Sequence, residues 1–76
     1  MAGCEVARKI LDNAGLSNVH VVETKGKLTD HYDPRQKVVR LSTDIFHGDS
    51  VAAVSVAAHE CGHAIQDKEN YNFMRI

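Results

Sequence analysis

The stretch Val56-Ala57-Ala58-His59-Glu60-Cys61-Gly62-His63-Ala64-Ile65-Gln66 decides how this chain reads. Alanine, valine and isoleucine flank the polar residues with no proline among them, which predicts a helix. An α-helix turns about 100° per residue, so side chains four apart lie one above the other on a single face. His59 and His63 have that spacing, and both imidazoles can reach one metal ion. Glu60 lies between them, and H-E-x-x-H spacing lets a carboxylate lean over a zinc-held water as general base. The pattern therefore predicts a catalytic Zn2+ site, with His59 and His63 as metal ligands and Glu60 as the catalytic base. Peptide-bond hydrolysis is the first expectation. The competing reading is a chance H-E-x-x-H on an ordinary helix.

The helix around this motif is expected over about residues 50–67, with Asp49 or Ser50 as N-cap. Val51, Val54, Ala58 and Ile65 fall on or near one apolar stripe, and the first half is apolar nearly all round. Such a helix is expected to be buried on more than one side. Two histidines and a glutamate in it are costly unless a metal and its surroundings satisfy them.

A zinc hydrolase site takes three protein ligands and a water, and only two ligands are evident here. The extended metzincin pattern would put glycine at 66 and histidine at 69, where this chain has Gln66 and Glu69. Cys61 sits about 200° round the helix from His59 and cannot share its ion. His20, His31, His47 and Glu69 are internal candidates, each read more readily as a surface residue or a support for a ligand. The third ligand is expected outside this chain.

Upstream of the long helix, Val6, Ala7, Ile10 and Leu11 predict a first helix over 4–14. Asn13-Ala14-Gly15-Leu16 reads as its stop, with Gly15 left-handed at C′ and Leu16 folding back on Leu11. Strands are expected over about 19–23, 28–33 and 38–42. Lys25-Gly26-Lys27 would turn between the first two, and Asp33-Pro34-Arg35-Gln36 between the second and third. Ser42 or Thr43 would then cap a single helical turn through Ile45 and Phe46. The fold class expected is α+β: an N-terminal helix, a small antiparallel three-stranded meander whose edges are 19–23 and 38–42, and the long metal-site helix. An extended peptide would pair with one of those edges.

Seventy-six residues make one small domain, marginal on its own unless a metal, a partner or further sequence supports it. Nine Lys plus Arg against ten Asp plus Glu leave a net charge of -1, so neither nucleic acid nor anionic lipid is an expected partner. Two cysteines, Cys4 and Cys61, are too few for a disulfide framework, and Cys61 reads as a small buried thiol. The N-terminus lacks the apolar core of a signal peptide, and the run 50–58 falls far short of the roughly 20 residues a membrane span needs. The chain as given is expected to be soluble. Two further classes stay open: a structural zinc module closed by four protein ligands, and a self-associating interaction module that forms a homodimer through an exposed apolar patch.

Three stretches carry a family resemblance. They are Glu5-Val6-Ala7-Arg8-Lys9-Ile10-Leu11, then Leu28-Thr29-Asp30-His31-Tyr32-Asp33-Pro34-Arg35 with Val38-Val39-Arg40-Leu41-Ser42, then residues 56–66. In order and spacing, from about Gly3 to Tyr71, the chain resembles the bacterial neutral zinc metallopeptidases often called YugP-like. The resemblance implies a partial zincin-like domain, a transmembrane helix before Gly3, and further apolar segments after Ile76. It also implies a third zinc ligand, a glutamate, in that later region. The parent protein would sit at a bacterial cell membrane, held there only by segments outside this chain. The resemblance carries His59 and His63 as ligands and Glu60 as base, with Cys61 in place of a small apolar residue. It suggests a role for Asp30-His31-Tyr32-Asp33, either orienting a ligand histidine or building the turn before Pro34, and the turn is the preferred reading.

Overall fold

A computed structural model describes residues 1–25 and 29–74. The first helix, α1, spans Gly3–Asn13 and buries Gly3, Ala7 and Leu11. Glu5 starts it by accepting a hydrogen bond from the Ala2 amide at 2.8 Å. It ends as expected. Gly15 has φ +76°, its amide donates to Asp12 O at 3.1 Å, and the Leu16 amide donates to Leu11 O at 2.8 Å. These two bonds make a Schellman motif, which turns Leu16 back into the core beside Leu11. A Cβ at a left-handed position crowds the following carbonyl. Gly15→Ala is therefore expected to cost about 1 kcal/mol, lowering the melting temperature by about 4–8 °C in a domain of this size. An unchanged melting curve, followed by circular dichroism, would show that the turn relaxes freely.

The strands are β1 (His20–Thr24), β2 (His31–Asp33) and β3 (Val38–Ser42), in the spatial order β1-β3-β2. The expected all-antiparallel meander is corrected here. β1 runs parallel to β3, with Val21 opposite Val39, whereas β2 is antiparallel to β3, with Tyr32 opposite Val39. Residues 38–42 thus form the central strand and not an edge. The physical reason lies in burial: Val38, Val39, Leu41 and Ser42 are all buried, and such a strand is best covered by pairing on both sides. The expected turn at Lys25-Gly26-Lys27 and the expected strand start at Leu28 fall largely on residues 26–28, outside the described residues. β2 is shorter than 28–33 because Asp30 leaves the ladder and its Oδ1 accepts the Ser42 amide at 2.7 Å. The second turn forms as expected, Asp33 Oδ1 accepting the amides of Arg35 at 3.0 Å and Gln36 at 3.2 Å. Lys37 completes it with φ 56°, a left-handed conformation that lysine rarely takes.

After the short helix α2 (Thr43–His47), Ser50 serves as N-cap of the long helix, its Oγ accepting the Ala53 amide at 3.1 Å. This helix, α3, spans Val51–Met74 and so runs a further two turns past the expected end at Asp67. The polar run that suggested a stop is anchored instead: Lys68 Nζ donates to Ala14 O at 3.1 Å, satisfying the C-terminus of α1.

The buried stripe of α3 also differs from the expected one. Ala53, Ala57, Cys61 and Ala64 are buried, Val54, Ala58 and Ile65 only half so, and Val51 is 85% exposed. Small side chains let α1 and α2 approach α3 closely, which outweighs the greater hydrophobicity of the valines. Gly3 belongs to the same contact, for a Cβ there would overlap the Ile45 carbonyl oxygen and touch Ala57. With Val51, Ala52 and Ser55 exposed, the N-terminal half of α3 is covered on one side and not all round. Helices cover one face of the sheet, and the core between the layers holds Leu11, Leu16, Val19, Val39, Leu41 and Cys61. Among the described residues no helix is long and apolar enough to cross a membrane.

Candidate active site

Midway along α3, the helical turn does what the spacing requires. His59 Nε2 and His63 Nε2 stand 3.1 Å apart, with ring centroids 4.6 Å apart and planes at 81°. Two tetrahedral ligands at about 2.0–2.1 Å from zinc lie about 3.3 Å from each other. The pair therefore fits a zinc ion with a small rotation of either ring, and neutral imidazole nitrogens are a donor set that zinc favours.

The expected burial of this trio is only partly met. His59 and His63 are exposed, and Glu60 alone is buried, 9% exposed. The cause is angular: Ala57, Cys61 and Ala64 face the core, which turns the histidines outward and leaves Glu60 at the boundary between core and solvent. Open imidazoles bear little desolvation cost, so a metal is not needed to make their placement tolerable. The carboxylate of Glu60 borders two open clefts. One, of about 580 Å³, lies toward His63 and is bounded by Asp30, His31, Tyr32 and Pro34 on the sheet side and by Gln66, Asp67 and Asn70 on the helix side. The other, of about 500 Å³, lies toward His59, between Thr29, Asp30, Ser55 and Val56. Asp30 and Glu60 border both.

Cys61 points away from the histidines as expected. It is fully buried, its Sγ lies 3.7 Å from Ala7 O, and burial pushes its thiol up to about 11. A thiol held in that state neither binds metal nor reacts readily at neutral pH. His20 and Glu69 are exposed, and His47 Nε2 pairs with Glu23 Oε1 at 3.3 Å, joining α2 to β1. Among the described residues no group of three His, Cys, Asp or Glu side chains gathers where it could hold a metal.

The four residues 30–33 have separate roles. Asp33 builds the turn and also pairs with Arg40 at 2.9 Å, which holds its carboxyl below the usual range, the Arg40 hydrogen bond being the leading cause. Asp30 holds Ser42. His31 lies opposite Arg40, and strand alternation puts it on the sheet face away from Tyr32. The Tyr32 hydroxyl donates to Asp67 Oδ2 at 3.2 Å, and Lys37 Nζ donates to the same oxygen at 3.2 Å. Asp67 had no expected role beyond ending the helix. The one local sign of it is its place four residues after His63, on the same helical face.

These features define a class: a two-layer α+β domain whose longest helix carries paired imidazoles and a buried glutamate beside open clefts. The chain belongs to the family described as "Putative neutral zinc metallopeptidase", which matches residues 1–76. It is 55% identical over 69 residues to a protein of Bacillus subtilis (strain 168) described as "Putative membrane protease YugP", a match covering 91% of this chain and 31% of that protein. The chain thus spans about a third of the length of this curated relative. No solved structure matches it.

Proposed function

We propose that this chain carries the metal-site half of a zinc-dependent peptidase, with His59 and His63 as two of the zinc ligands and Glu60 as general base. The observation that supports this most is the approach of the two Nε2 atoms to 3.1 Å beside a carboxylate that is 9% exposed. When bound, zinc supplies Lewis acidity, polarising the scissile carbonyl and lowering the pKa of water to about 7. Glu60 accepts a proton from the attacking water and returns it to the departing amine nitrogen. Glu60 stands at the rim of the core and borders both clefts. The third ligand, a carboxylate, comes from sequence outside this chain, and anchoring at the membrane also belongs to such segments.

The substrate chain lies along the outer edge of β2. Of the two sheet edges, β2 borders the cleft beside His63, while β1 lies on the far side of β3. Main-chain pairing to β2 would draw an extended peptide between the sheet and α3, past Glu60. The test is cleavage of a casein-derived peptide by the complete protein. Chelation is expected to abolish turnover, and stoichiometric zinc to restore it. Turnover that persists after the metal is removed and verified absent would refute this function. The 76-residue chain alone, with two imidazoles for ligands, is expected to bind zinc weakly and to turn over little or no peptide.

A further inference from the structure

Resting on the peptidase reading above, we propose that Tyr32, Asp67 and Lys37 form a latch that sets the width of the substrate cleft. All three are positioning residues, acting on the peptide through the placement of β2. Tyr32 is the middle residue of β2, and Asp67 stands one helical turn beyond His63. The Tyr32–Asp67 hydrogen bond therefore ties the edge strand to the metal-site helix across 35 residues of sequence. Both residues border the cleft beside Glu60 and His63. Both also border a second cavity behind it, of about 230 Å³, that reaches Leu16 and Val19. The rung between them is thus the partition at the back of the substrate cleft. Lys37 reinforces it from the turn, and does so from a backbone conformation with φ 56° that is unfavourable for lysine. That conformation brings its ammonium to the Asp67 oxygen, which raises the Lys37 pKa.

A peptide paired to β2 reaches Glu60 only if β2 keeps this distance from α3. Without the rung, part of each binding event is spent re-closing the gap, and apparent affinity falls by the fraction of molecules that are closed. Groups on Glu60 and the histidines are untouched, so the chemical step itself is preserved.

The test is Tyr32→Phe in the complete zinc-loaded protein, which removes one hydroxyl and keeps the ring. KM is expected to rise about five-fold, the worth of one hydrogen bond, with kcat and zinc content unchanged. Asp67→Ala removes both bonds and is expected to raise KM further. Lys68→Met serves as the comparison: it removes the bond to Ala14 and lowers the melting temperature while leaving KM alone, because it lies outside the cleft. An unchanged KM in Tyr32→Phe, or a KM that rises equally in Lys68→Met, overturns the latch while leaving the peptidase assignment standing. Binding of a fluorescein-labelled casein peptide, read by anisotropy, separates the two ideas further. Weaker binding in Tyr32→Phe than in wild type supports the latch whether or not turnover is seen. Equal binding overturns it, and a wild-type protein that neither binds nor cleaves peptide overturns both.

Discussion

Glu60→Gln in the complete protein is expected to keep its zinc and lose turnover by about 10²–10⁴-fold, the usual worth of a general base. The glutamine amide has nearly the volume of the carboxylate, so the buried site at the edge of the core should accept it without a cavity. What it lacks is an acceptor basic enough to take a proton from water. The contrast between metal content and rate carries the assignment. Zinc measured by atomic absorption should match wild type, and kcat should collapse with little change in KM, because the interaction removed is made in the transition state. Undiminished cleavage by the glutamine variant would rule out Glu60 as the base.

His59→Ala should separate from that result by losing both metal and activity. A zinc site with one of its imidazoles removed keeps too few ligands to compete with buffer, and affinity is expected to fall by on the order of 10²-fold or more. Because His59 is exposed and Ala is a better helix former than His, the variant should fold as well as wild type without zinc. The loss would then be one of coordination and not of stability. Equal zinc affinity in the variant and wild type would place the metal elsewhere.

Several features were legible from residue order because their causes are local. The spacing of His59 and His63, the left-handed stop at Gly15, the Asp33 turn and the Ser50 cap each depend on a few neighbours along the chain. Strand 38–42 was located to the residue, and the first strand to within one, since β-branched runs bounded by turn residues mark themselves. The sheet order was not legible. Consecutive strands were expected to pair, yet the strand with the most to bury took the centre, and its two partners are set by the packing of the whole layer. The apolar stripe of α3 was misplaced for a related reason. Hydrophobicity ranks valine above alanine, whereas the close contact with α1 and α2 selects small residues at Ala53, Ala57, Cys61 and Ala64. The end of α3 was set too early because the partners of Asp67 and Lys68 are Tyr32, Lys37 and Ala14, all distant in sequence.

From residue order alone came the two imidazoles one turn apart, the carboxylate beside them and the thiol turned away, since helical geometry leaves no freedom in how positions 59, 60, 61 and 63 are disposed around an axis. Three-dimensional packing alone decided that the imidazoles stand open while Glu60 is buried, that β2 and not β3 borders the cleft, and that Asp67 holds the edge strand to the helix. Those outcomes depend on which surfaces meet between distant segments. Their free energy is a sum over the whole molecule, and no short window of sequence contains it.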